Sequence, residues 1–307
     1  MTAKMYFIAL LCLWLTLPGI AQLIHHPHQV ESHGLDLHVN EFGQTGKTET
    51  KHILLVHGLT YSSHEFHIDY KDYSLVNFLS KNGYQVWTMD ITGYGQSQKP
   101  ADGFIVNTSY AAEDIAAVIK YIREKVNINQ LDLLGWSWGT ATTSRLVASH
   151  ASWIRKLVLY APVTSGYNGD APKQDWHQNT WAHAASDFQL KDKIIDYKIT
   201  EKPVVALFLS NCWKFDQEVS PNGGRKDLMK GSAEKFILPQ NLVVPTLFIG
   251  GDRDPYLKWE EIESIYQNHP KKAQSQLIRI RGGAHALMME KPYYKQFQKK
   301  VLLFLQP

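Results

Sequence analysis

A serine between two glycines is the residue of this chain best placed to act as a nucleophile. It lies in Gly135-Trp136-Ser137-Trp138-Gly139, a G-x-S-x-G pattern between a short apolar run at 131–134 and a helical pattern at 140–150. A strand, a sharp turn and a helix in this order hold a serine hydroxyl above the carboxyl edge of a sheet. The flanking glycines leave room for the turn and for the neighbouring helix. The pattern therefore predicts that Ser137 is a catalytic nucleophile.

A serine hydroxyl reacts only when a base takes its proton, and a third group usually orients that base. His285 follows the β-rich run at 277–280, at the edge of the sheet where Ser137 is expected, and is the predicted base. The acid should follow the preceding run at 246–249, where Asp252 and Asp254 both occur. Asp254 lies further along the loop and can reach His285 better, so it is favoured, with Asp252 as the alternative.

A tetrahedral intermediate requires hydrogen-bond donors for its oxyanion. The backbone N–H of Trp138, the residue after the nucleophile, is one predicted donor. The second should come from the loop after the first parallel strand, where His57-Gly58-Leu59 stands, and the N–H of Leu59 is the predicted choice. His57 could in principle act as a second base, but a structural role in shaping this loop is favoured.

Short apolar, β-rich runs alternate with helical patterns along most of the chain, which predicts a doubly wound, mostly parallel sheet of the α/β class. One interval, 163–241, has no clear strand and carries Gly, Asn and Pro punctuation with several aromatic residues. We expect it to form a helical lid inserted into the fold. Trp181 and Trp213 in this lid, with Trp136 of the elbow, are candidate substrate-binding residues. In an alternative interpretation of equal weight, the two lid tryptophans only pack the lid against the sheet.

The order of these motifs resembles the α/β-hydrolase superfamily over nearly all of residues 28–307. The matching segments are Leu55-Val56-His57-Gly58, residues 90–97, the serine elbow, residues 245–254 and Gly283-Ala284-His285. In relatives the loop that corresponds to 251–254 carries the triad acid at its last position, so the resemblance implies Asp254. It also implies an α/β-hydrolase fold, and nothing in the sequence implies a cofactor or a metal ion. It is a poor guide to substrate, because many hydrolases share these motifs.

The favoured function is a carboxylesterase- or lipase-like serine hydrolase that cleaves a small-molecule ester or other acyl substrate through an acyl-enzyme. An amide or peptide hydrolase with the same triad is the first alternative, since prolyl aminopeptidases also have Trp after the Ser. Their oxyanion loop is usually His-Gly-Gly-Pro-Gly, however, whereas this chain has His-Gly-Leu-Thr-Tyr. A binding module without catalytic activity on the same scaffold is the second alternative.

The N-terminal segment differs from the rest of this 307-residue chain. Lys4 is followed by an apolar run and then by Gly19-Ile20-Ala21, which predicts a signal peptide over 1–21 and export to the periplasm or the medium. Cleavage would leave no membrane-inserted segment; the alternative is an uncleaved anchor. The net charge of +3 is spread over mixed signs, which disfavours nucleic acid as a partner. We therefore divide the chain into a core (22–162 and 242–307) and the lid (163–241), with the oligomeric state open.

Overall fold

The computed structural model describes residues 22–46, 51–191, 194–217 and 219–306. The predicted signal peptide, 1–21, lies outside the described residues, so export stays a prediction. None of the helices in the described ranges combines the length and the apolar character that a bilayer-spanning segment needs.

Strands and helices alternate along the chain as the apolar pattern predicts. The strands are Leu23–Ser32 (β1), Leu35–Gln44 (β2), Lys51–Val56 (β3), Tyr84–Met89 (β4), Leu131–Trp136 (β5), Ile154–Tyr160 (β6), Trp176–Gln178 (β7), Gln189–Lys191 (β8), Ile194–Ile195 (β9), Val219–Pro221 (β10), Thr246–Gly251 (β11) and Gln276–Ile280 (β12). The α-helices are Leu75–Lys81 (α1), Thr108–Val126 (α2), Trp138–His150 (α3), Trp181–Ala184 (α4), Lys202–Asn211 (α5), Gly223–Leu228 (α6), Trp259–Gln267 (α7) and Tyr294–Leu305 (α8).

Eight of the described strands form one sheet in the order β1-β2-β4-β3-β5-β6-β11-β12. β1 and β2 make an antiparallel hairpin that turns at His33-Gly34, and β2 pairs antiparallel with β4. From β4 to β12 every neighbouring pair is parallel. The predicted doubly wound, mostly parallel sheet is therefore confirmed. Its parallel strands end at one edge of the sheet. The loops that carry the predicted site residues follow β3, β5, β11 and β12 at this edge.

Helices cover both faces of this sheet, which explains why its central strands are apolar throughout rather than alternating. In β3, Ile53 and Leu55 pack in the hydrophobic cluster that contains α1 and α8, and Leu54 and Val56 pack in the cluster that contains α2, α3 and α7. All four side chains are fully buried. A strand enclosed on both sides holds the residues at its carboxyl end in a rigid frame.

The segment 163–241 lies outside the eight-stranded sheet, but the expectation that it contains no strands is wrong. β7 pairs with β10, and β8 pairs with β9, in two antiparallel ribbons. Each strand has at most three residues and β7 lies about 40 residues from its partner in the chain. Such short strands leave no period-two pattern in the sequence, and pairing over this separation cannot be read from local composition. The segment is thus a mixture of short helices and ribbons.

Candidate active site

Ser137 lies at the sharp turn between β5 and α3, as the sequence predicts. Its backbone angles are φ 55° and ψ −123°, in a region that L-residues other than glycine rarely adopt. The conformation is held because the residue is tied at both sides: its N–H donates to the Tyr160 carbonyl at 2.9 Å and its own carbonyl accepts from the Thr140 N–H at 2.9 Å. Such strain costs about 1–3 kcal/mol and is typical of functional sites.

The glycines around Ser137 are required by close backbone approach. A Cβ at Gly135 would lie 2.3 Å from the Gly139 carbonyl oxygen, and a Cβ at Gly139 would lie 2.6 Å from the His57 carbonyl oxygen. A Cβ at Gly58 would lie 3.2 Å from the Ser137 Cβ and 3.8 Å from its Oγ. The elbow and the loop after β3 therefore touch directly, and the loop passes beside the serine hydroxyl.

The structure brings His285 and Asp254 into direct contact. The Nδ1 of His285 lies 2.7 Å from Oδ2 of Asp254, and the other carboxylate oxygen accepts from the Tyr256 N–H at 2.9 Å. The two side chains of the pair are almost fully buried, at 7% and 0% exposure. Because Nδ1 faces the carboxylate, Nε2 lies on the opposite side of the ring, and this is the nitrogen that a triad uses toward its nucleophile.

Asp252, the alternative acid, faces elsewhere. Its Oδ1 accepts from the Gly282 N–H at 2.6 Å, so it ties the loop after β11 to the loop after β12. The Tyr160 hydroxyl donates to the backbone carbonyl of His285 at 2.8 Å and so holds the backbone at this residue. Of the two candidates, Asp254 is thus the carboxylate that the fold places against the imidazole.

A buried carboxyl group, Glu290, supports the same loop and was not singled out from the sequence. Both of its oxygens lie 3.1 Å from the Ala284 N–H. Burial, with a smaller contribution from the charge of Asp254, raises the pKa of Glu290 to about 7 against the opposing hydrogen bond from Ala284. Glu290 thus binds its proton near neutral pH and contacts the residue that precedes His285.

His57 has the structural role that the sequence favours. It is fully buried; its Nε2 accepts from the Ile91 N–H at 3.0 Å, and its Nδ1 lies 2.7 Å from the Gly58 carbonyl. An amide N–H can only donate, so Nε2 is the acceptor and Nδ1 carries the hydrogen. Burial lowers the pKa of His57, which keeps the ring neutral. Both nitrogens are therefore engaged in fixing the loop.

The two predicted oxyanion donors lie on either side of Ser137. Trp138 is the first residue of α3, so its N–H has no carbonyl within the helix to donate to and points out of the helix N-terminus. Leu59 follows Gly58 in the loop that touches the elbow and lines the same cavity as Ser137. The arrangement is suited to bind a negatively charged oxygen, and the role itself stays a prediction.

A cavity of about 460 Å³ lies over the elbow and has both Ser137 and His285 in its wall. Trp136, a predicted substrate-binding residue, also lines it; its ring stacks on Tyr160 and lies 5.5 Å from the His285 ring. The remaining lining residues are Gly58, Leu59, Thr60, Tyr61, Glu65, Val163, Tyr167, His177, His183, Ser186, Arg225, Leu228, Met229 and Tyr256.

Trp181 and Trp213 are not among the described residues that line this cavity, so the structure does not support their predicted place in its wall. Their rings stack on each other at 4.0 Å with an interplanar angle of 3°. Trp181 remains 52% exposed. The two rings contact each other, which favours the packing interpretation.

Three basic side chains of the segment 163–241 do line the cavity, and sequence reasoning missed them. His177 and His183 lie in the cavity wall and contact each other, with ring centroids 4.8 Å apart. Burial, and then the charge of Arg225, lowers the pKa of His177 to about 4 and also lowers that of His183. No pattern in this irregular segment marks which of its side chains face inward.

Possible metal ligands are a separate question. Within the part of the chain that the structure describes, no group of three or more His, Cys, Asp or Glu side chains is arranged to hold a metal ion.

Comparison with known proteins agrees with this architecture. A human protein named serine hydrolase BPHL is 26% identical over 285 residues, covering 91% of this chain and 86% of its own. Among solved structures, a bromoperoxidase from Bacillus anthracis superposes with a TM-score of 0.66 at 21% identity, covering 92% of this chain and 100% of that one. An esterase from Exiguobacterium antarcticum gives 0.65 at 19% identity, with 90% and 98% covered.

These two solved structures share the fold with this chain, whereas the family assignment rests on the sequence itself. Residues 51–292, which include the elbow, the Asp254 loop and His285, match the family model described as alpha/beta hydrolase fold. The chain belongs to the α/β-hydrolase family.

Proposed function

We propose that this protein is a serine hydrolase that cleaves a carboxylic ester through an acyl-enzyme. The observation that carries the proposal is the positive-φ elbow, which presents Ser137 in the wall of the same cavity as a His285 imidazole bonded to Asp254. A serine, a buried carboxylate and a histidine, in this chain order and on this fold, are the residues that carry out acyl transfer in serine hydrolases.

In the first half of the proposed reaction, Nε2 of His285 takes the Ser137 proton as Oγ attacks the carbonyl carbon of the ester. The negative charge moves to the former carbonyl oxygen, where the N–H groups of Leu59 and Trp138 donate to it. Asp254 stabilises the imidazolium and keeps the ring in the tautomer that needs Nε2 as acceptor. The intermediate then collapses, the C–O bond to the alcohol breaks, and His285 returns the proton to the alcohol.

In the second half, water attacks the acyl carbon and gives its proton to His285. Collapse of this second intermediate breaks the bond to Ser137 Oγ, which recovers the proton from the imidazole. The products are a carboxylic acid and the regenerated enzyme. Every proton transfer passes through one imidazole nitrogen, so no further ionisable group is needed in the cycle.

A fluorophosphonate probe and a panel of p-nitrophenyl esters of rising acyl length test this proposal. The wild-type protein should be labelled at Ser137 and should release p-nitrophenol, whereas Ser137→Ala should do neither. Ser62→Ala, at another buried serine, is the control, because Ser62 is not part of the proposed triad. Turnover by Ser137→Ala at the wild-type rate would refute the assignment of the nucleophile.

Aminoacyl anilides in the same panel test the alternative of an amide or peptide hydrolase. An aminopeptidase needs a carboxylate that is free to hold the substrate amine. Asp216, an acidic residue of the segment 163–241, accepts from the N–H groups of Ser62 and Gly95 and contacts His64 at 2.7 Å. This argues against Asp216 as the amine site, and ester cleavage stays the preferred proposal. Faster turnover of an anilide than of every ester would reverse this preference.

We also propose that the protein is exported. The support is the Lys4, apolar run and Gly19-Ile20-Ala21 pattern at the N-terminus. N-terminal sequencing of the product outside the cytoplasm should begin at Gln22. A chain that keeps Met1 and sediments with membranes would indicate the anchor instead.

A further inference from the structure

Arg225, at the start of α6, is a half-buried cation in the wall of the cavity that contains Ser137. Nη1 donates to the Ser220 hydroxyl, the Pro221 carbonyl and the Asn222 side chain at 3.1–3.4 Å, and Nη2 donates to Oγ1 of Thr60 at 2.6 Å. All four acceptors are neutral. Among the ion pairs formed within the described ranges, none includes Arg225.

Charged side chains that leave water are usually paired with an opposite charge. A guanidinium has five N–H donors in a planar fork that matches a carboxylate. The hydrogen bonds above use Nη1 and one hydrogen of Nη2, so the Nε–H and the second Nη2 hydrogen make no bond to a described residue. We propose that Arg225 binds a carboxylate of the substrate, so that the preferred ester carries a second, anionic acid group. This inference rests on the proposed function of Ser137.

Helix α6 holds Arg225 in a fixed position beside the reacting centre. A Cβ at Gly224 would lie 2.7 Å from the Trp138 ring and 2.8 Å from the Leu59 side chain, so the helix is packed directly on both predicted oxyanion residues. Asp227 accepts from the Thr108 N–H at 2.8 Å and anchors α6 to the start of α2. A cation held in this way is organised before the ligand arrives, which limits the entropy lost on binding.

The charges around the cavity favour a single carboxylate as the ligand group. Burial lowers the pKa of His177 to about 4 and lowers that of His183, so both rings are neutral at pH 7 and can donate one hydrogen bond each. Glu65 also lines the cavity, but none of the ion pairs among the described residues joins it to Arg225. Burial lowers the pKa of Arg225 itself, but an arginine stays protonated near neutral pH. Among the described residues no carboxylate lies within ion-pair distance of Arg225, and one guanidinium matches one monoanionic group.

Matched ethyl esters provide the kinetic test. Monoethyl succinate, glutarate and adipate are compared with ethyl butyrate, pentanoate and hexanoate, in which a methyl replaces the carboxylate, and ethanol release gives kcat/KM. The wild type should prefer the anionic ester of at least one pair. Arg225→Met should reduce that preference roughly tenfold to hundredfold, the range expected for a hydrogen bond to a charged group, and Arg225→Lys should keep part of it.

Lys226→Met is the matched control, because Lys226 is exposed on the same helix and is not one of the residues that line the cavity. It removes the same charge and should leave the preference unchanged. An equal loss for anionic and neutral esters in Arg225→Met would show that Arg225 only supports the fold of the wall, and would overturn the inference. A wild type that hydrolyses both kinds of ester equally well would also overturn it, while the proposed function would stand.

Binding without turnover separates the two proposals. Calorimetry with Ser137→Ala measures the affinity for each of the three monoethyl esters and for its neutral partner. Tighter binding of an anionic ester, lost when Arg225→Met is added, supports the anion site even if no ester is hydrolysed by the wild type. Equal affinity for both members of every pair refutes the anion site whatever the outcome for catalysis.

Discussion

Replacing Glu290 by glutamine should stabilise the protein at alkaline pH but not at acidic pH. Glutamine keeps the shape of the side chain, and its carbonyl oxygen can still accept from the Ala284 N–H that Glu290 contacts at 3.1 Å. It differs from the native residue mainly because it cannot ionise. The variant therefore isolates the cost of carrying a negative charge at this buried position.

The sign and size of the effect follow from the shifted pKa. Burial raises the pKa of Glu290 from an ordinary 4.5 to about 7, so the folded protein holds the proton more tightly than the unfolded chain does. The stability that this provides is complete below pH 4.5 and is lost as the pH rises through 7. A difference of about 2.5 pH units corresponds to about 3 kcal/mol, since one unit is worth about 1.36 kcal/mol.

Urea denaturation of the wild type and Glu290→Gln near pH 4.5 and at pH 8.5 measures this difference. Relative to wild type, the free energy of unfolding of the variant should be larger at pH 8.5 than near pH 4.5 by about 3 kcal/mol, so the variant is the more stable protein at alkaline pH. Glu263→Gln, at an exposed position of α7, is the control and should show no comparable dependence. If the two proteins differ by the same amount at both pH values, Glu290 is ionised in the folded state at both, and the reasoning from burial is wrong.

Two further outcomes are expected at the elbow and the acid loop. Ser137→Gly should lose all turnover and gain roughly 1 kcal/mol of stability. Glycine adopts the positive φ without strain, and this gain is only partly offset by the greater freedom of glycine in the unfolded chain. A loss of stability in denaturation would contradict the strain argument. Asp254→Asn should reduce ester turnover by about four orders of magnitude, the effect of losing the correct imidazole tautomer in such a triad. Asp252→Asn should retain far more activity, and the reverse ranking would assign the acid to Asp252.

The sheet and its catalytic edge were predictable because both depend on local patterns. A strand buried on both faces must be an apolar run, so β3, β5, β6 and β11 could be recognised without knowledge of their neighbours. Parallel strands then bring Ser137 and His285 to one edge whatever their separation in the sequence. What sequence could not decide is which aspartate faces the imidazole. Asp252 turns to the Gly282 N–H, and that choice depends on a contact across two loops.

The cavity wall from residues 163–241 was predicted poorly for a physical reason. Its ribbons have strands of two or three residues, and the position of each depends on packing against distant parts of the chain. Aromatic type suggested that Trp181 and Trp213 face the substrate, yet two large apolar rings can shield each other just as well by stacking. Composition therefore indicates that a segment is folded without indicating which side chains face inward.

The contacts of α6 connect the irregular segment 163–241 to the predicted site around Ser137. Gly224 touches Trp138 and Leu59, the two residues whose N–H groups are proposed to hold the oxyanion, and the next residue, Arg225, faces the cavity. A larger residue at 224 would push the helix away and move the oxyanion donors and the guanidinium together. In the proposed mechanism, this close contact couples substrate selection to transition-state stabilisation. Changes of substrate preference that leave the rate intact should consequently arise at Arg225, His177 or His183, and not at Gly224.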